Sequence, residues 1–202
     1  DARNFTNLTV KNNTVKGFHE FFYSEGSSGV IKSNTVKSAE FTSLLSSGLN
    51  TANGLELIRS TFTISSNTLS GQTANGVYIG SDATVTLKSN KIKSSGKYGV
   101  YTYKGTAKFS GNTISGSKKG VFHTVSDAVI KSSDDIRAYY IGLKDSYKYT
   151  GSKITPIKKI SGLNKKYYSI SYKNNKKRGT ATITIKGKGK VKKTLKLKFK
   201  IE

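Results

Sequence analysis

The sequence predicts an all-β chain in two parts: a short parallel β-helix of about six coils over residues 1–137, then a small antiparallel β-sandwich-like domain over residues 138–202. Three observations carry this prediction: a repeat of about 22 residues, short runs of alternating apolar residues, and a shift in charge. Residues 1–137 hold 16 Lys and Arg against nine Asp and Glu, whereas residues 138–202 hold 19 against two.

The first repeat marker is an Asn between apolar residues. The pattern, apolar, two small or polar residues, Asn, any residue, apolar, occurs five times, centred on Asn13, Asn34, Asn67, Asn90 and Asn112. The intervals are 21, 33, 23 and 22 residues. One interval is too long by about half a repeat, which predicts an inserted loop within Ala39–Asn53.

A second marker shares this period. Gly followed by an apolar residue recurs at Gly54, Gly76, Gly99 and Gly120, at intervals of 22, 23 and 21 residues. Each repeat contains short alternating runs, such as Val77-Tyr78-Ile79, that are separated by Gly, Asn and Ser. This alternation is the period of strands, and a unit of this length forms one turn of a solenoid.

The two markers have structural interpretations. We expect each Asn to adopt the left-handed conformation at a bend and to hydrogen-bond its equivalent in the next coil, which gives a ladder; the alternative is an ordinary solvent-facing turn residue. We expect the Gly residues to supply a positive φ or a close backbone approach at another corner.

The C-terminal part has longer alternating runs, typical of antiparallel sheets with one solvated face. They are residues 154–160, 168–172, 180–185 and 195–201. Turn sequences separate the last three, at residues 173–176 and 187–190.

The repeats over about Asn4 to Lys131 resemble the right-handed parallel β-helix family, which includes pectate lyases, polygalacturonases, alginate epimerases and many bacterial surface proteins. The runs at 149–156, 168–175 and 179–189 resemble the small immunoglobulin-like repeats of secreted and wall-associated proteins of clostridial-type Gram-positive bacteria. Lys replaces most of the acidic residues usual in those repeats. Together the resemblances imply a secreted or cell-surface protein.

The residues do not point to catalysis. The chain has no Cys, and its two His, His19 and His123, lie about five coils apart. Acidic residues are scattered, and the adjacent pair Asp134-Asp135 is interpreted as a cap or linker turn in preference to a catalytic or calcium site. We therefore predict no catalytic residues, no metal and no cofactor, and lean against an enzyme.

Two sets of residues are candidates for ligand binding. Tyr78, Tyr101 and Phe122 each follow a marker Gly by two residues, which predicts a column of stacked rings. Alternation favours an outward column that could accept sugar rings; an inward column would be core. Lys196, Lys198 and Lys200 alternate along the last run and could bind anionic polymers, although a solvated or protected sheet edge has the same pattern.

The leading hypothesis is a non-catalytic surface, adhesion or structural module that binds an anionic polysaccharide or cell-wall polymer. One alternative is a polysaccharide lyase, epimerase or hydrolase, or a fragment of one, which would bring at least three acidic, basic or His side chains together in one groove. Another is a self-assembling fibre subunit, because open coil ends expose strand edges. No specific nucleic-acid partner and no transmembrane segment are predicted.

Overall fold

A computed structural model describes residues 1–17, 20–38 and 53–202 of the chain. The chain divides into two compact units, Asp1–Lys131 and Ser132–Glu202. The sequence placed this division after residue 137. The backbone N–H of Lys192 donates to the carbonyl of Asp134 (2.6 Å), and that of Ile136 donates to the carbonyl of Lys192 (3.1 Å), so these residues are held within the second unit.

The all-β prediction is confirmed: the first unit is a solenoid of about five turns. Its strands are Ala2–Arg3 (β1), Leu8–Lys11 (β2), Thr14–Lys16 (β3), Phe22–Glu25 (β4), Ser28–Lys32 (β5), Thr35–Lys37 (β6), Leu55–Ile58 (β7), Thr61–Ser65 (β8), Thr68–Ser70 (β9), Val77–Ile79 (β10), Thr84–Lys88 (β11), Lys91–Lys93 (β12), Tyr98–Thr102 (β13), Thr106–Ser110 (β14), Thr113–Ser115 (β15), Gly120–Thr124 (β16) and Val129–Ser133 (β17).

Every third strand joins the same sheet, so the solenoid has three faces. The first sheet is ordered β1-β4-β7-β10-β13-β16, the second β17-β14-β11-β8-β5-β2 and the third β15-β12-β9-β6-β3. Among the described residues, the first two sheets hold six strands each and the third holds five, and the solenoid makes about five turns. Residues 39–52, which include most of the predicted inserted loop, lie outside the described residues.

Inward side chains form continuous apolar columns. Val36, Leu69, Ile92 and Ile114 stack in the third sheet, and Ile31, Ile64, Leu87 and Phe109 stack in the second. All eight are buried. Because neighbouring strands lie about 4.8 Å apart, like side chains meet at van der Waals distance and exclude water along the solenoid.

The five marker Asn residues form a hydrogen-bonded ladder. In each coil the Asn side-chain amide donates to the Oδ1 of the next Asn, at 2.9 Å from Asn13 to Asn34, 2.9 Å from Asn34 to Asn67, 3.0 Å from Asn67 to Asn90 and 3.1 Å from Asn90 to Asn112. Asn34, Asn67 and Asn90 are each 1% exposed. The backbone N–H of each also donates to the next Oδ1. The column therefore satisfies polar groups that water does not reach.

The expected left-handed conformation of these Asn residues is wrong. The positive φ belongs to the residue before each one, namely Asn12, Ser33, Ser66, Ser89 and Gly111, with φ between 56° and 63°. This preceding residue makes the turn, and the side chains of Asn34, Asn67 and Asn90 are buried.

The marker Gly residues permit close approach of the next coil. A Cβ on Gly54 would lie 2.6 Å from the carbonyl oxygen of Gly76, and one on Gly76 would lie 2.6 Å from that of Gly99. Gly120 is different, because it pairs with Tyr98 in the register and a Cβ there would meet nothing closer than 3.5 Å. Its equivalence with Gly54, Gly76 and Gly99 is therefore wrong by one residue.

The second unit contains a single mixed four-stranded sheet. Its strands are Ser146–Tyr147 (β18), Tyr168–Lys173 (β19), Gly179–Gly187 (β20) and Thr194–Ile201 (β21), in the order β18-β21-β20-β19. β19, β20 and β21 are antiparallel as predicted, whereas β18 joins in parallel. An irregular segment takes the place of a second sheet: the Tyr172 hydroxyl bonds the backbone of Ile157, and the N–H of Ile160 donates to the Tyr168 hydroxyl.

The two faces of this sheet differ completely. The apolar face includes Ala181, Ile183, Ile185 and Phe199, all buried. The opposite face, which we call the hydroxyl–lysine face, includes Ser169, Ser171, Lys173, Thr180, Thr182, Thr184, Lys186, Thr194, Lys196, Lys198 and Lys200.

Replacement of Asn67 tests how strongly the ladder stabilises the solenoid. Asn67→Ala leaves the buried carbonyl of Ile31 and the N–H of Asn34 without their partners. Each orphaned group costs about 1–3 kcal/mol, so we expect the free energy of unfolding in urea to fall by roughly 3–4 kcal/mol. Asn13→Ala, at the exposed end of the ladder, is the matched control and should cost less than about 1 kcal/mol. Equal losses for the two variants would contradict a stabilising role for the buried column.

Candidate ligand-binding face

The outward face of the first sheet gathers the polar and aromatic side chains of five coils into one column. Tyr23, Glu56, Tyr78, Tyr101 and His123 occupy equivalent positions in β4, β7, β10, β13 and β16. Their strand neighbours point inward; Leu55, Val77 and Val100 are fully buried. The period of two along each strand therefore separates the core from a functional surface.

Aromatic rings stack along this column. The ring centroids of Tyr78 and Tyr101 are 5.5 Å apart with an interplanar angle of 21°, and the Tyr101 and His123 rings follow at 4.8 Å. Tyr98 lies beside them, with its ring 4.7 Å from that of His123. Parallel rings touch at about 3.5–4 Å, so a 5.5 Å separation means an offset of about 4 Å. Each ring overlaps its neighbour only partly, and all four side chains are half-buried.

The third predicted ring, Phe122, lies in the wrong place for this column. It pairs with Val100, and its ring packs on Phe109 at a centroid distance of 5.2 Å. The marker Gly residues here are 21 residues apart, but the coils are offset by 22, so the prediction was one residue out of register. A shift of one residue exchanges the two faces of a strand, and His123 takes the outward position.

A pair of carboxyl groups lies at the other end of the rings. The side chains of Glu20 and Glu56 lie close enough to interact, and a hydrogen bond between two carboxyls requires one of them to carry a proton. Burial first, and then the charge of Glu56, raises the pKa of Glu20 to about 7. The side-chain amide of Asn53 donates to Glu56 Oε2 at 2.6 Å. Glu20 Oε1 is buried and, within the described chain, accepts no hydrogen bond.

The same signal that predicted the rings applies to Glu56. It follows Gly54 by two residues, as Tyr78 follows Gly76 and Tyr101 follows Gly99. Sequence reasoning treated it as a scattered acid because its neighbours in the column are aromatic. Burial and the charge of Glu56 also raise the pKa of Tyr78, so the acid pair and the rings are electrostatically connected.

An ion cluster forms the far edge of this face. Glu25 is paired with Arg59, and Arg3 approaches the Glu25 carboxylate at 3.9 Å. The Tyr23 hydroxyl donates to Glu25 Oε2 at 3.2 Å, and the Arg3 guanidinium lies 5.6 Å from the centre of the Tyr23 ring. These three charged side chains pair with one another on a sheet face, and neither of the hollows described for the chain is lined by them.

The remaining residues that the sequence suggested for a site have structural roles, lie outside the described residues or lie on another surface. Asp135 caps a 3₁₀ turn at Ile136–Ala138, accepts from the Arg137 N–H at 3.0 Å and pairs with its guanidinium at 2.6 Å, as a cap would. His19 lies outside the described residues. Burial lowers the pKa of His123, which favours the neutral form of its ring. Lys196, Lys198 and Lys200 are exposed on the C-terminal sheet.

Two classes of feature are missing from the part of the chain that the structure describes. No group of three His, Cys, Asp or Glu side chains is arranged to hold a metal ion. No helix there has the length and hydropathy of a membrane span.

Titration of Glu20 should be visible in the stability of the fold. Its pKa is 4.5 in an unfolded chain and about 7 in the folded one, so the stability that its proton contributes is complete below pH 4.5 and is lost as the pH rises through 7. Glu20→Gln mimics the protonated acid. We expect the free energy of unfolding to fall between pH 5 and pH 8 more steeply in the wild type than in this variant. Parallel pH profiles for the two proteins would contradict the assignment.

Comparison with known protein families identifies the solenoid but not the C-terminal unit. Residues 2–136 match the family model described as right handed beta helix region, whereas no family identifies the C-terminal unit as immunoglobulin-like. Searches of curated proteins and of solved structures gave no significant match. Since the matched region covers well over half of the chain, the protein belongs to the right-handed β-helix family.

Proposed function

We propose that this protein is an extracellular surface module that binds polysaccharide on the outward face of its first sheet. The observation that carries the proposal is the offset stack of Tyr78, Tyr101 and His123, with Tyr98 beside it. Such rings offer apolar surface to the C–H faces of sugars, and their hydroxyls supply donors and acceptors. The extended row suits a linear polymer because it crosses three neighbouring strands, β10, β13 and β16, at a spacing of about 4.8 Å.

Charge favours an anionic polymer. The chain carries a formal net charge of +24, and Lys dominates the C-terminal unit. A field of this sign raises the local concentration of acidic polymers and accelerates their association. An anionic polysaccharide or another cell-wall polymer is therefore the ligand class that we propose, and a secreted or cell-surface location follows from it.

Polysaccharide cleavage is the second candidate, and the Glu20–Glu56 pair is the observation that favours it. A protonated carboxyl with a pKa of about 7 can act as a general acid near neutral pH. Glycosidases, however, hold their two carboxyl groups about 5–5.5 Å or 6.5–9.5 Å apart, so that a nucleophile or a water molecule fits between them. The direct interaction of the Glu20 and Glu56 carboxyls argues against such a gap between them. Binding without cleavage is therefore the better-supported function.

Binding is tested with a panel of immobilised polysaccharides, followed by calorimetry on any that retain the protein. We expect Tyr101→Ala to weaken binding about tenfold, because it removes the central ring of the stack. Thr86→Ala, an outward position on the second sheet, is the matched control and should leave affinity unchanged.

Two results would overturn these proposals. Wild-type affinity in both Tyr101→Ala and Tyr78→Ala would exclude the ring column as the binding surface. Release of reducing ends or unsaturated uronates by the wild type, and its loss in Glu20→Gln, would instead assign the face to catalysis.

A further inference from the structure

The hydroxyl–lysine face of the C-terminal sheet has a regular pattern of charges and hydroxyls. On β21 the lysines occupy alternate positions, and each is paired across the strands with a Thr of β20: Lys196 with Thr184, Lys198 with Thr182 and Lys200 with Thr180. All three lysines are exposed. Alternate residues of a strand are about 6.6–6.8 Å apart, so the face presents a row of ammonium groups at this interval with a hydroxyl beside each.

The pattern continues beyond this row. Lys173 of β19 lies opposite Thr182, and Lys186 of β20 lies beside Ser169. At the Lys200 end, the turn between β19 and β20 borders an open hollow of about 650 Å³ that is lined by Lys176, Lys177 and Arg178 and also by Tyr172. Residues 138–202 hold only two acidic residues to offset this charge.

We propose that the hydroxyl–lysine face binds a linear polymer of phosphodiester-linked polyol units, running along β21. This inference rests on the extracellular role proposed above, but it concerns a different surface and a different ligand group.

The residue types suit phosphate. Each Lys presents a compact positive charge with three donors, which is how Lys binds phosphate. Thr and Ser hydroxyls add donors for the remaining phosphate oxygens.

The spacing of the lysines also agrees with such a polymer. Three backbone bonds of an extended polypeptide span about 3.3–3.6 Å, so a polymer repeat of six bonds, P–O–C–C–C–O and on to the next P, spans about 7 Å. This length is close to the interval of about 6.6–6.8 Å between alternate residues of a strand.

Other polyanions fit less well. Proteins that bind single-stranded nucleic acid stack its bases on aromatic rings, and the rings of β19–β21 all lie on the opposite, apolar face. A flat anionic membrane would meet only part of the face, because neighbouring strands of a sheet are rotated by about 20–25°. A flexible chain can follow one strand instead.

The test measures binding of the full chain to immobilised poly(glycerol phosphate). In the face variant Lys196→Gln, Lys198→Gln and Lys200→Gln are combined; in the matched control Lys153→Gln, Lys158→Gln and Lys159→Gln are combined, which removes the same charge from exposed residues outside the sheet. We expect the face variant to bind at least about tenfold more weakly and the control within about threefold of the wild type. Equal losses would show that net charge alone is responsible and would overturn the proposal.

Further variants and competition experiments identify the ligand class and separate this proposal from that of polysaccharide binding on the first sheet. Thr182→Val and Thr184→Val together should weaken binding, because they remove two hydroxyls and keep the shape of the side chains. Unchanged affinity would contradict the proposal that the hydroxyls beside the lysines bind phosphate oxygens. Polygalacturonate, DNA and anionic lipid vesicles should compete at least about tenfold less well than the phosphate polymer, and equal competition by any of them would exclude the proposed class. Tyr78→Ala and Tyr101→Ala should leave this binding unchanged whether or not the polysaccharide panel succeeds.

Discussion

The structure of the solenoid depends on the in-register hydrogen bonding of one coil to the next. Parallel strands alone leave the bends between sheets with polar groups that water cannot reach, and the buried Asn column supplies partners for them. Asn34, Asn67, Asn90 and Asn112 each share a side-chain hydrogen bond with a neighbouring Asn and donate to a backbone carbonyl one coil back, for example Asn67 to Ile31 and Asn90 to Ile64. A slip by one residue would break these bonds and turn the apolar columns outward.

The same constraint builds the surface. Because equivalent residues recur at about 4.8 Å, an outward position that is aromatic in successive coils becomes a stack, as at Tyr78 and Tyr101. Where the residue changes, the chemistry changes within one column: Glu56 follows Tyr78 on one side and His123 follows Tyr101 on the other. In the C-terminal sheet the surface pattern arises within each strand. Alternate residues lie on opposite faces, which separates an apolar face from the hydroxyl–lysine face.

The sequence repeats made the fold predictable. The site was harder to predict, because a change of one residue in the spacing of a coil moves a side chain to the other face of its strand. The Asn and Gly markers indicated the coils, and alternation placed Tyr78 and Tyr101 outside because their neighbours Val77, Ile79 and Val100 are strongly apolar. Phe122 could not be separated from His123 without knowing that Gly120 pairs with Tyr98. The contact between Glu20 and Glu56 joins residues from separate coils with no repeat marker on Glu20. Similarly, nothing in the alternating C-terminal runs indicated that an irregular segment would cover the sheet.

The most direct test of the account is whether neighbouring coils lie in the register described. The chain has no Cys, so pairs introduced at outward-facing positions report contact without interference. Thr68 and Lys91 are register partners, as are Lys91 and Thr113, whereas Thr68 and Thr113 lie two coils apart. Strand neighbours at about 4.8 Å fall within the 4.4–6.8 Å Cα separation of disulfides, and residues at about 9.6 Å do not. Mild oxidation should therefore cross-link Thr68→Cys/Lys91→Cys and Lys91→Cys/Thr113→Cys within one chain, but not Thr68→Cys/Thr113→Cys. Cross-linking of only the last pair, or of none, would contradict the stacked architecture.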